Sequence, residues 1–158
     1  MLTSRAVPWL LASLLPLGCQ HTSHSDTAPT TQPTSPVQTA REVVLLRGEF
    51  VNVSRPVTGS VELVRKGEAY RLELRGVSVT FDGAVHVYLV GLEEAMTTRA
   101  VSSTDLKYDM GTLQQGQNQQ SIDLPSEPDP RLRSVVLWSP AYGVNLASAR
   151  LLPATSAH

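Results

Sequence analysis

Sulfur is scarce in this chain, which holds one cysteine, Cys19, and three methionines among 158 residues. A single thiol forms no intrachain disulfide, so every residue after 19 is excluded from thiol chemistry and from cysteine-based zinc binding. An exported domain normally uses paired thiols as staples, and here the domain must stand on its core alone. Charge of one sign is lacking as well. Thirteen Lys and Arg against fourteen Asp and Glu leave a formal net charge of -1, with the basic residues scattered singly. A nucleic-acid binder presents a basic stripe, so nucleic acid is excluded as a partner. Long apolar runs are missing too: Ala6 to Leu17 is only twelve residues and is interrupted by Pro8. A bilayer-spanning helix needs roughly twenty. Finally, no segment of ten or more residues keeps a good 3.6 period, and no internal repeat is present.

What the amino terminus does contain is one positive charge at Arg5, that short apolar run, and then Gly18-Cys19. This is the profile of a secretory signal peptide over residues 1–18. The small residue before a lone cysteine resembles the lipobox of bacterial lipoproteins, which implies removal of the preceding segment and lipidation of Cys19. The pattern departs from that family at Pro16, where leucine is usual; Leu15 lies one place further back. Acyl chains would anchor an exported domain to a membrane, two holding firmly where one holds marginally. Gln20 rather than Asp beside the anchor points to the outer membrane, if the host has one.

Residues 19–40 are the attachment cysteine and a tether of Ser, Thr and Pro with almost no large apolar side chain. Such a segment buries too little surface to repay ordering and serves as reach, about 25 Å as a coil and about 65 Å if stiffened by proline. His21 and His24 in it read as solvated histidines rather than metal ligands. From Arg41 the texture changes to short runs with period-two alternation, bounded by Gly, Pro, Asn and Asp. Tyr70, Leu72 and Leu74 fall on one face of such a run, with Arg71, Glu73 and Arg75 on the other. Strands are expected at Val43–Phe50, Ser60–Val64, Tyr70–Arg75, Val77–Phe81, Val85–Val90, Lys107–Leu113, Gln119–Leu124, Ser134–Trp138 and Val144–Leu151, with a helical turn at Gly91–Ala95. Lys66-Gly67 and Asp82-Gly83 mark turns. Eight to nine short strands in residues 41–153, followed by a tail at 154–158, make an all-β antiparallel sandwich or barrel.

Five blocks then fall in order: "GEF" at 48–50, "VTGSVEL" at 57–63, "YRLELRGVSVTFDGAVHVYLV" at 70–90, "DMGTLQQGQNQQSIDLP" at 109–125 and "SVVLWSPAYGVNLASARL" at 134–151. This order resembles the DM-thirteen domain, the so-called electron transfer DM domain, a small all-β extracytoplasmic module, over nearly all of Arg41 to Pro153. The resemblance implies a redox role around a cysteine directly after the tryptophan of the last-but-one strand. Here that residue is Ser139. A hydroxyl forms no thiolate, disulfide or sulfenic acid at neutral pH, so the implied thiol chemistry is lost. A Gly-Pro step of the family is replaced by Gly83-Ala84.

Ser139 is not expected to be a nucleophile either, because "WSPAY" lacks a Gly-x-Ser-x-Gly elbow and the only histidines from residue 41 onward are His86 and His158. The plain reading is that Pro140 ends a strand and Ser139 caps the turn. His86 alternates with Val85 and Val87 and is expected to be an exposed strand histidine, sharing a face with Tyr88 only across a bulge. No spacing pairs it with Met96 or Met110 as a haem or metal ligand, and the methionines read as gap fillers. Glu93, Glu94, Asp105 and the acidic stretch from Asp123 to Pro130 lack regular calcium-loop spacing and read as solvated. Asn52-Val53-Ser54 matches a glycosylation sequon, coincidental behind a bacterial-type anchor. Trp138, Tyr142 and His86 are the candidate partner surface. The expected protein is therefore a membrane-tethered extracytoplasmic binding or accessory module of the cell envelope. It is expected to work without catalysis, metal or cofactor of its own, meeting another envelope protein. The alternative is an electron-transfer accessory that contacts a haem or quinone protein.

Overall fold

A computed structural model describes residues 41–155; the expected signal peptide, Cys19, the tether with His21 and His24, and His158 lie outside them. Nine strands form one antiparallel, nearly closed, barrel-like sheet: β1 (Glu42–Asn52), β2 (Val57–Lys66), β3 (Ala69–Val79), β4 (His86–Val90), β5 (Lys107–Thr112), β6 (Gln119–Leu124), β7 (Ser134–Ser139), β8 (Val144–Arg150) and β9 (Leu152–Pro153). The order is β5-β4-β7-β8-β1-β2-β3-β6, with β9 beside β1. A single helix among the described residues, α1 (Thr98–Ser103), follows β4.

Alternation explains the core. Val61, Leu63, Leu72, Leu74, Val87, Leu89, Val135, Leu137 and Ala149 turn into the barrel and are almost wholly buried. At about 25 cal/mol per Å², burial of this kind stabilises a domain that has no disulfide to lean on. β7 differs from the other strands in being buried along its whole length. Val135 and Leu137 face inward. Val136 and Trp138 face outward, into a second apolar cluster with Val90, Ala95 and Val101 that is roofed by the segment carrying α1. A continuous apolar run such as Ser134–Trp138 is the signature of a strand covered on both faces.

β1 turns the corner of the sheet. Its first part pairs β2 from Glu42 to Glu49, and its last residues, Phe50 to Asn52, pair β8. Gly48 sits at the changeover, where a Cβ would fall 2.3 Å from the Arg150 carbonyl oxygen. Only a residue without a side chain lets the strands approach so closely. Gly59, with φ of 109°, makes the bulge in β2 and has the backbone of residues 75–77 within 2.7 Å of the missing Cβ.

Two expectations are corrected. The runs 70–75 and 77–81 are one strand, β3, continuous through Gly76. The helical turn lies at Thr98–Ser103 instead of Gly91–Ala95. Carbonyls of the earlier segment are taken from outside: Ser134 Oγ donates to Leu92 O at 2.6 Å and Asn145 Nδ2 donates to Ala95 O at 2.6 Å. The helix starts where Thr97 Oγ1 accepts from Ala100 N at 3.2 Å, an N-cap.

Because neighbouring strands run antiparallel, one barrel end gathers the start of β1, the β2–β3 turn and residues 125–133. The other end gathers the loops 53–56, 80–85, 113–118 and 140–143. This second end is tied together. Val53, Ser54 and Arg55 N–H groups all donate to Leu146 O at 3.1 to 3.3 Å. Asn52 Oδ1 accepts from Val57 N at 2.7 Å, so the sequon asparagine works as a loop cap. Gln115 Nε2 donates to Gly83 O at 3.0 Å.

Candidate functional site

Trp138 and Ser139 close β7 at the tied end. Ser139 remains within the ladder opposite Val144, Pro140 to Gly143 make the turn, and Gly143 has φ of 61°. The strand therefore ends before Pro140, as expected for a residue that has no ladder donor. The expectation that Ser139 caps the turn fails, because its Oγ is fully buried and has no hydrogen-bond partner among the described residues. Alternation puts it on the face of Val135 and Leu137, toward the barrel interior and away from the turn's backbone. An unpaired buried hydroxyl costs about 1–3 kcal/mol. A thiol in the same place is a small apolar group that makes little such demand.

His86 and Trp138 are direct cross-strand partners at the meeting of β4 and β7. His86 is not freely exposed as a strand histidine. Its side chain is 27% exposed and its Nδ1 lies 2.8 Å from Asp109 Oδ2 on β5. That carboxylate, and neither Met96 nor Met110, is its polar partner. Met110 packs against the core, whereas Met96 is 43% exposed and fills no gap. His86 and Tyr88 share a face without the bulge expected for it in β4. Residues i and i+2 share a face of any regular strand, and the His86 and Tyr88 rings lie 6.3 Å apart while the β4–β7 register runs without a break. The irregularity belongs to β5, where Tyr88 pairs Asp109 and His86 pairs Thr112.

Tyr88 continues the outer face. Its ring stands 6.1 Å from Trp138 at an angle of 33°, and Lys107 Nζ lies 5.6 Å and 6.0 Å from the two ring centres. The ammonium thus faces two π-systems. Burial first, and the Asp109 charge second, push the Tyr88 hydroxyl above the ordinary tyrosine value, so the phenol stays neutral at physiological pH. Trp138 is 8% exposed beneath the α1 segment, while Tyr142 is 67% exposed and packs edge-on to Phe81 at 5.6 Å. His86, Trp138 and Tyr142 therefore share one barrel end, yet of the three only His86 and Tyr142 reach the surface appreciably.

Several acidic residues considered for calcium are engaged by arginine: Glu93 by Arg150, Asp123 by Arg71 and Asp129 by Arg131. Arg131 holds the Asp129 carboxyl down at about 2. Among the described residues no group of three or more His, Cys, Asp or Glu is placed to hold a metal ion. Alternation put Glu73 on a polar face but gave no sign of its burial. Its side chain is 5% exposed, accepting from Ser121 Oγ at 2.6 Å and Gln119 Nε2 at 2.9 Å, with Arg71 at 3.9 Å. Burial drives its pKa up, but the two hydrogen bonds and the charges of Arg71 and Arg75 outweigh it and hold the carboxyl below its ordinary value. Both hydrogen-bond donors lie on β6, which marks a structural network joining β3 to β6.

Fold and site together define a small antiparallel β-barrel module whose last hairpin carries a buried tryptophan and, after it, a buried polar atom without a partner. Residues 49–151, more than half of the chain, match the family model Electron transfer DM13, and the chain belongs to that family. No curated protein and no solved structure matches it.

Proposed function

We propose that the protein is a membrane-tethered extracytoplasmic binding or accessory module of the cell envelope that carries out no catalysis of its own. Ser139 carries this reading: an oxygen, fully buried and without a partner among the described residues, stands where the family resemblance implies the reactive sulfur. The proposed anchor is a lipid on Cys19, in the outer membrane if the host has one, and the proposed partner is another envelope protein. The tied loops support such a role, since loops fixed in advance lose little entropy on binding. They lie at the barrel end remote from the start of β1, a strand of eleven residues. The test is an optical spectrum and metal analysis of the purified full chain, followed by capture of partners from envelope extracts. The expected outcome is no stoichiometric chromophore or metal, and a partner whose capture weakens in Tyr142→Ala. A stoichiometric chromophore or metal overturns the proposal.

A second reading, an electron-transfer accessory that meets a haem or quinone protein, is favoured by the family's description and by the Tyr88–Trp138 pair reaching toward the surface through His86. It expects the captured partner to be a redox protein, and its reduction rate to fall with Trp138→Phe.

A further inference from the structure

The strand order leaves β5 and β6 at the two ends of a sheet that curls until they face each other. No ladder joins them among the described residues; a side chain does. Gln120 Oε1 accepts from Gln114 N at 2.7 Å and Gln120 Nε2 donates to Thr112 O at 3.0 Å. The carboxamide here accepts one bond and donates one, as a peptide group of a neighbouring strand would.

Away from this latch, toward the start of β5 and the end of β6, the seam holds a cleft of about 690 Å³. Its floor includes Leu89 and Leu132 from the barrel core, with Met110 and Leu124 packed against that core. Asp109, Asp123, Glu127 and Asp129 line it, and no basic residue does. His86, Arg71 and Arg131 approach three of these carboxylates, while Glu127 has no ion-pair partner among the described residues. Beside the cleft β5 presents an edge, and an edge strand is a template for pairing with another chain.

We propose that this seam accepts an extended, cationic-amphipathic segment of a partner protein, added as a strand beside β5. Three consecutive β5 residues, Tyr108 to Met110, line the cleft, whereas β6 supplies only Asp123 and Leu124 before Pro125 removes a donor. Backbone hydrogen bonds give the affinity, and alternate side chains give the choice of partner. Apolar side chains enter toward Met110 and Leu124, and Lys or Arg side chains meet the carboxylates. The proposal names the partner class for the binding role above; it involves the seam rather than the tied loops, so either can fail alone.

The test is an amide-resolved NMR titration of the full chain with three capped hexapeptides. One alternates valine and lysine, the second alternates valine and glutamate, and the third is the lysine peptide N-methylated at every second residue. The lysine peptide is expected to shift amides at Tyr108–Met110 and Asp123–Leu124. The double variant D123N/E127Q is expected to weaken it about fivefold, two exposed ion pairs being worth up to about 1 kcal/mol each. N-methylation is expected to weaken it at least about tenfold, at about 1 kcal/mol per lost hydrogen bond. Absence of binding by the lysine peptide, equal binding by either control, an unchanged affinity in the double variant, or shifts confined to the 53–56 and 140–143 loops overturns the proposal. Partner capture through Tyr142 in the absence of seam binding would leave the accessory role standing and reject this site alone.

Discussion

Replacing Ser139 by alanine is expected to stabilise the protein, an unusual outcome for a change in a fully buried strand. Ser139 is 0% exposed and its hydroxyl has no partner among the described residues, so folding removes it from water and returns no hydrogen bond. That loss is about 1–3 kcal/mol. Alanine gives up only the packing of one oxygen, a small fraction of what a methyl deletion loses in a core, since single atom pairs contribute about 0.1–0.2 kcal/mol. The expected gain is about 1 kcal/mol, or a Tm increase of about 3–6 °C for a domain of this size. Urea unfolding of the full chain, with m unchanged between wild type and S139A, measures it. Ser139→Cys is expected to be at least as stable as the wild type, because a thiol behaves as a small apolar group. In the background C19S its sulfur should react with a thiol reagent only as fast as the barrel opens. A loss of 1 kcal/mol or more in S139A would refute the reasoning, since it would mean that the hydroxyl is bonded in the folded protein.

Gln120→Ala removes both bonds of the seam latch and is expected to cost about 1–2 kcal/mol, with faster hydrogen exchange at Gln114 N–H than elsewhere in the barrel. Asn52→Ala removes the bond from Val57 N that bridges the two ends of the 53–56 loop and is expected to cost about 1 kcal/mol by urea unfolding. Glu73 and Asp129 both titrate below their ordinary values in the folded state. Their contribution is therefore complete above the ordinary carboxylate range, about pH 4–5, and is lost as pH falls through the folded pKa values, that of Asp129 lying at about 2. A urea midpoint that falls over that window, and falls less in E73Q, is the expected result; a midpoint that rises on acidification contradicts it. Cys19→Ser is expected to move the protein from the membrane fraction to the soluble fraction on cell fractionation.

Strands with one buried face are legible because period-two alternation reports that arrangement directly, and β7, covered on both faces, is legible as a short continuous apolar run. Gln119–Leu124 is found with the bounds its alternation marked, and Ser134–Trp138 extends by one residue. The joining of 70–75 to 77–81 was hidden by Gly76, which reads as a turn signal but here sits inside β3. Local periodicity does not place the helical turn, because the 91–95 segment is held by hydrogen bonds from Ser134 and Asn145, which span 41 to 50 residues of chain. At the site, the sequence located the Trp138–Ser139 corner but not the orientation of its atoms. Whether Ser139 caps a turn or lies unpaired inside depends on the strand continuing one residue beyond the tryptophan. The partnership of His86 with Asp109 depends on the β4–β5 register, and the burial of Glu73 on the pairing of β3 with β6. Neither pairing is written in local periodicity.

Voltammetry of the purified full chain, with no added prosthetic group, tests most directly the proposal that the domain has no reactive redox atom of its own. A featureless response across the range of biological potentials is expected. A reversible wave of one or two electrons per chain would contradict it.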